Sequence, residues 1–202
     1  MTSEIRIYVE GGGDSAFGKA TLRSGFNTFF RSLVDDARSK RIKWAVILLG
    51  PRDKCLSAFN TALKTHPDAF NILMVDAEGA VSVEPRQHLR DRDSWDVLAP
   101  EENCHLMVQT MEAWFVADFD ALSTYYGDSF LGSAIPRTSN VEEIDKITLL
   151  SALERASQNT QKGRYNKIRH AADLLGRIDT TLVRQKAWHC DRLFSALKSR
   201  IH

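Results

Sequence analysis

Four acidic residues stand at or just past the ends of three apolar runs. Ile5-Arg6-Ile7-Tyr8-Val9 runs into Glu10, Phe70-Asn71-Ile72-Leu73-Met74-Val75 into Asp76-Ala77-Glu78, and His105-Leu106-Met107-Val108-Gln109-Thr110 into Met111-Glu112. Carboxylates gathered in one place repel one another and call for a counter-charge, most simply a hard divalent cation held through oxygen. Asp76 and Glu78 are two residues apart, a spacing that turns both side chains to the same side of an extended chain. Asp14 follows Glu10 by one short, glycine-rich turn and can fold back to the same place. Glu112 lies among Met111, Ala113, Trp114, Phe115 and Val116, where a carboxylate has to be paired, metal-bound or protonated. Any one of these acids is as well explained as a helix cap or a surface charge. Three strand ends with the same pattern favour a metal site working on phosphate chemistry.

The elements that must position these acids alternate between strand and helix. Residues 4–10 read as a strand stopped by Gly11-Gly12-Gly13, where the chain turns and backbone can approach a ligand closely. Apolar residues at helical spacing predict one long helix over 17–40, locally weakened at Gly25. A short strand over 44–49 stops at Gly50-Pro51, a helix over 52–65 ends at His66-Pro67, and a strand over 69–76 follows. This β-α-β-α-β order predicts an α/β fold, a mostly parallel sheet with helices on both faces. Parallel strands would deliver all four carboxylates to one sheet edge, where open α/β sheets place their ligands. Residues 79–104 read as a polar loop with a short helix, and 105–110 as a fourth strand leading into a helix that ends near Gly127. Beyond that, helices are expected over 141–159, 165–175 and 188–200. The expected division is an α/β core over 1–135 and a helical C-terminal region over 136–202 packed on it.

Composition sets bounds rather than a function. The 202 residues carry a net charge of +1, 43% hydrophobic and 26% charged residues, as in an ordinary globular protein. No apolar run approaches a membrane span and the first residues already read as a strand rather than a leader, so a cytoplasmic location without membrane contact is expected. Three widely spaced cysteines, Cys55, Cys104 and Cys190, fit a reducing compartment. Cys104-His105 and His189-Cys190 lack the spacing of a zinc knuckle.

A Glu after the first strand with an Asp-x-Asp or Asp-x-Glu after a later one resembles the Toprim pattern of topoisomerases, primases and overcoming-lysogenization-defect (OLD) nucleases. More closely, Ile7-Tyr8-Val9-Glu10-Gly11-Gly12-Gly13-Asp14, Gly50-Pro51-Arg52-Asp53, Val75-Asp76-Ala77-Glu78-Gly79 and His105 through Phe115 resemble a bacterial family of Toprim-like proteins, domain of unknown function 4276. The likeness extends to Tyr165-Asn166-Lys167 and Arg192-Leu193-Phe194. It implies a Toprim-like nuclease using Mg²⁺ (or Mn²⁺). Glu10 would be a ligand and general base, Asp76 and Glu78 would hold one or two metals, and Asp14 and Glu112 would complete the set. Glu78 stands where the commoner pair has a second Asp. The resemblance further implies nucleic acid, DNA or RNA, as substrate, and by association a partner ATPase and a role in anti-phage defence. Homo-oligomers are left open.

Cations must hold such a substrate. Lys19 and Arg23 lie one turn apart near the start of the first long helix, and Arg52 follows the second strand. Arg164, Lys167 and Arg169 cluster around Tyr165, with Lys167 the candidate to stabilise transition-state charge and Arg164 and Arg169 to hold the nucleic-acid backbone. Taken alone, that cluster reads equally as a solvated helix face. Two further readings stand beside the nuclease. One is a non-catalytic Toprim-fold subunit docking a partner on its acidic edge. The other is a P-loop NTPase, disfavoured because Ala20 stands where Gly13 to Lys19 would be followed by a hydroxyl for Mg²⁺.

Overall fold

The computed structural model describes residues 2–13 and 15–202. Among these, four strands form one all-parallel sheet in the order β2-β1-β3-β4: β1 Glu4–Val9, β2 Lys43–Leu48, β3 Phe70–Asp76 and β4 Cys104–Met107. The chain is therefore an α/β protein, with helices on both sheet faces. Every residue of β3 is buried, because it has strands on both sides and helices on both faces. Its odd and even positions serve two different cores. Ile72 and Met74 join Ile5, Ile7 and Val9 under the helices α1 (Ala16–Phe29), α2 (Arg31–Ser39) and the C-terminal helices. Leu73 and Val75 pack with Tyr8 under α3 (Arg52–Thr65) and α4 (Pro85–Asp93), where Phe59 and Leu89 are fully buried.

The strand order places the site. From β1 the chain crosses outward to β2, then returns to lay β3 on the other side of β1. The reversal falls between β1 and β3, the crevice where open α/β sheets bind ligands. Glu10 and Asp76 stand at the carboxyl ends of those two strands. The ladder carries on past β1, since the Glu10 amide donates to the Met74 carbonyl at 3.2 Å.

Several elements depart from the sequence expectation. The long helix over 17–40 is two, α1 and α2, joined at Phe30, while Gly25 lies unbroken inside α1. Phe30 is fully buried and caps α1 while opening α2, so the kink follows the core rather than helix propensity. Gly25 is where α8 (Lys167–Leu175) crosses: a Cβ there would lie 2.6 Å from the Ala172 carbonyl oxygen. The fourth strand is shorter than expected, ending at Met107. The helix after it is split at Asp118, whose carboxylate caps the second half, into α5 (Ala113–Ala117) and α6 (Phe119–Tyr126). The C-terminal region holds α7 (Lys146–Ser157), α8, α9 (Thr180–Lys186) and α10 (Trp188–Ile201), of which α9 was not expected. Leu174, Val183, Leu193 and Leu197 from these helices share one buried cluster with β1 and β3. Among the described residues no helix is long and apolar enough to cross a membrane.

Candidate active site

Gly11, Gly12 and Gly13 all have positive φ (119°, 82° and 60°), so the chain leaves β1 in a turn that residues with a Cβ would strain. Gly11 and Gly50 exchange backbone hydrogen bonds at 3.0 Å, tying this turn to the one after β2. The glycines thus serve close packing of two turns. Ser15 then caps α1, accepting from the Gly18 amide at 2.9 Å.

Asp76 and Glu112 converge on one cation, Lys167, while Glu10, near enough to feel that charge, is paired with Arg52. The lysine Nζ lies 3.1 Å from Asp76 Oδ2 and 3.5 Å from Glu112 Oε2. The Lys167 side chain is 43% exposed, and its ammonium lies against the carboxylates of Asp76 and Glu112. Burial opposes that charge; Asp76, Glu112 and Glu10 outweigh it and raise the lysine pKa, so Lys167 stays charged. Glu10 shifts the other way from an ordinary free carboxylate. Burial and then the charge of Asp76 raise its pKa, against the pull of Arg52 and Lys167.

Asp76 and Glu112 are also held by neutral donors. The Met111 amide donates to Asp76 Oδ1 at 2.8 Å. Glu112, with no solvent exposure, accepts from Thr110 Oγ1 at 2.6 Å and from the Tyr165 hydroxyl at 2.8 Å. Glu112 pushes the buried Tyr165 hydroxyl further up, after burial itself, so it remains a proton donor. Thr110 and Tyr165 were not singled out as site residues from the sequence, although both lie in stretches that carry the family resemblance, next to Glu112 and Lys167.

Arg52 is a clamp. One guanidinium nitrogen donates to Glu10 Oε2 at 2.9 Å and to the Asp76 carbonyl at 2.6 Å, the other to Asp93 Oδ2 at 2.6 Å. Trp95 lies against its guanidinium, 4.8 Å from carbon to ring centre. With 15% of its side chain exposed, Arg52 is committed to the protein rather than turned to a substrate.

Glu78 is not gathered with the others. The extended chain ends at Ala77, and Glu78 takes a left-handed conformation (φ 66°). Its carboxylate meets Lys146 at 2.5 Å and Arg92 at 4.0 Å, and Asp76 shares neither partner. The two-residue spacing therefore does not put Asp76 and Glu78 on one cation here, because it needed both residues to be extended. Asp14 lies outside the described residues.

The remaining expected substrate contacts divide. Lys19 lies over the glycine turns, its backbone and Cγ within 3.0 Å of where a Gly12 Cβ would stand and its Cε 3.4 Å from a Gly50 Cβ. Arg23 donates Nε to the Val46 carbonyl at 2.9 Å, pinning α1 to edge strand β2. Arg164 makes an exposed ion pair with Glu154 at 3.6 Å. Arg169 is exposed in the first turn of α8. The histidines of the two Cys–His pairs are taken up elsewhere. His105, its pKa lowered to about 3 by burial and Arg192, is a neutral ring bonded at Nε2 to the Glu102 carbonyl, and His189 Nδ1 pairs with Glu142 at 2.9 Å.

The donor set suits Mg²⁺ or Mn²⁺ in kind: Glu10, Asp76 and Glu112 offer only hard carboxylate oxygens, and the Lys167 ammonium marks the place among them where positive charge is held. Three carboxylates face two cations there, one of which, Arg52, also serves Asp93. As arranged, however, no group of three His, Cys, Asp or Glu among the described residues is close enough to grip a metal. A divalent ion would have to share the carboxylates with Lys167. No curated protein and no solved structure matches the chain. A family profile does, over residues 9–198, which contain every site residue discussed above, and the chain belongs to the family described as domain of unknown function 4276.

Proposed function

We propose that the chain is a Toprim-like nuclease that hydrolyses nucleic-acid phosphodiester bonds at the Glu10–Asp76–Glu112–Lys167 cluster, with DNA or RNA as substrate. The observation that carries this reading is the meeting of Asp76 and Glu112 on one ammonium beside Glu10, which Arg52 ties to the end of β3, at the strand-order reversal. Glu10 is the candidate general base. A raised pKa brings a carboxylate closer to neutrality and makes it a better acceptor for the proton of an attacking water. Lys167 remains charged and stabilises the negative charge that builds on the phosphoryl oxygens. Thr110 and Tyr165 hold Glu112, the Met111 amide holds Asp76, and Arg52 holds Glu10. Asp76, Glu112 and Glu10 would hold Mg²⁺ (or Mn²⁺), and that ion, when bound, supplies further Lewis-acid stabilisation of the phosphoryl group. By association with Toprim nucleases, the proposed setting is cytoplasmic anti-phage defence beside a partner ATPase.

The experiment is cleavage of plasmid DNA and of RNA with and without divalent cation, for the native chain, Glu10→Gln and Asp76→Asn. The expected result is cation-dependent cleavage reduced by about 100-fold or more in either variant. Cleavage unchanged in both variants refutes the reading. The pairing of these carboxylates with protein cations favours a second reading, a non-catalytic subunit whose acidic edge docks a partner. Folded native protein that cuts neither substrate, with or without cation, would select it.

A further inference from the structure

Phe17 is 81% exposed and Ile168 70% exposed, each in the first turn of a long helix. The two helices, α1 and α8, run parallel. Gly18 and Leu22 share a cavity with Lys167 and Ile168 at one end, Gly25 meets Ala172 in the middle, and Thr28 meets Gly176 at the other end. Both helices therefore start on the same side, beside the glycine turn that follows β1; Ile168 lines the cavity there, and Phe17 directly precedes Gly18, which lines it too. The cavity there, about 230 Å³, is lined by Glu10, Gly12, Leu22, Lys167 and Ile168. Glu10 and Lys167 thus face the apolar side chains of Leu22, Ile168 and Ala172 across it. Burying Phe17 would stabilise the fold, yet it faces solvent. Its place on the helix continues the Thr21, Ser24 and Thr28 line that borders the groove between α1 and α8.

We propose that Phe17 and Ile168 form a platform for an unpaired nucleobase, so that the substrate is single-stranded nucleic acid entering with a base on the rim and its phosphate toward Lys167. This rests on the phosphodiesterase reading above. An aromatic face binds a base only when that face is free, and in a duplex the neighbouring bases cover it. Charge agrees with the occupant: Arg169 stands exposed in the same turn of α8 as Ile168, and backbone phosphates need cations beside stacked bases. A protein partner seated on the same pair would instead link Phe17 to assembly, a result the test distinguishes.

The test is binding in metal-free buffer, so that it does not depend on cleavage. A fluorescein-labelled single strand and its duplex are titrated with native protein, Phe17→Ala, Phe17→Trp and Ile168→Ala, with sedimentation of each protein in parallel. Phe17 and Ile168 are exposed, so the variants are expected to fold, and circular dichroism checks this. Expected are preference for the single strand, a loss of about tenfold in Phe17→Ala, since one base–aromatic stack is worth roughly that or more, retention in Phe17→Trp, and a smaller loss in Ile168→Ala. A single strand carrying 2-aminopurine should be quenched by the native protein and not by Phe17→Ala. Equal affinity for duplex, unchanged binding in Phe17→Ala, no binding of either strand form, or a change in sedimentation alone would each overturn the platform. Phe17-dependent binding by a protein that cuts nothing when Mg²⁺ or Mn²⁺ is restored would leave the platform standing and remove the hydrolytic reading.

Discussion

Replacing Lys167 with methionine removes one charge and keeps most of the side-chain volume. Asp76 and Glu112, 4% and 0% exposed at the side chain, then face each other with their cation gone. Taking one partner from a buried ion pair costs about 3–5 kcal/mol. The 43% exposure of the lysine side chain shows that water reaches part of this site, which lowers the expected cost to about 2–3 kcal/mol. For a chain of this length that is a fall in Tm of about 4–12 °C. The loss should depend on pH in a defined direction. Lys167 has a folded pKa above its unfolded one, so its contribution is complete below the unfolded lysine value and is lost only as pH rises through the folded value, well outside the neutral range. Glu10, also raised, is least costly below the ordinary carboxylate pKa, and its ionisation costs the fold stability as pH rises through the shifted value. Lys167→Met removes one of the charges holding that value down, so the variant should lose less at pH 5 than at pH 8. If the ammonium occupies a cation position, Mg²⁺ or Mn²⁺ should restore the variant by about 2.7 kcal/mol at a concentration 100 times its Kd, and should stabilise the native chain less. The assay is thermal unfolding of both proteins at the two pH values with and without the ion. A variant as stable as the native chain, or one insensitive to pH and divalent ion, refutes the electrostatic account of the cluster.

Arg52→Ala should cost about 3 kcal/mol or more in chemical denaturation, because it frees Glu10 and Asp93 together; a cost no larger than that of an exposed ion pair would show that the clamp is ornamental. Tyr165→Phe leaves a Glu112 oxygen without its hydroxyl donor in a setting closed to water, an expected loss of about 1–3 kcal/mol, checked by urea denaturation and refuted by an unchanged midpoint. Gly25→Ala should destabilise although alanine favours helix by about 1 kcal/mol, since the new methyl meets the Ala172 carbonyl and overpacking costs about 1–3 kcal/mol; a rise in Tm would mean that α1 and α8 separate freely.

Much of the scaffold is legible in the sequence. Gly50-Pro51 and His66-Pro67 bound α3, which runs Arg52–Thr65 as expected, because proline and glycine act on their own backbone wherever they stand. The unbroken apolar run from Ile72 to Val75 declares a central strand, since a strand covered on both faces is apolar at odd and even positions alike. The acids after β1, β3 and β4 follow from the same local punctuation. Tertiary structure decided which of them meet. Glu78 departs from Asp76 because one left-handed residue ends the alternation, and Lys146, 68 residues further on, is there to receive it. Arg52 reads as a substrate contact in the chain and becomes a clamp because Asp93 and Trp95 arrive from the far side of β3. Lys167 reads as one basic residue among several until α8 is laid along α1, a packing that Gly25 permits and that brings its ammonium to carboxylates more than fifty residues away. Local signals set where each strand and turn falls, because they act through the backbone of a few residues; the pairing of charges is set by which helices cover which face, and that is a property of the whole packed chain.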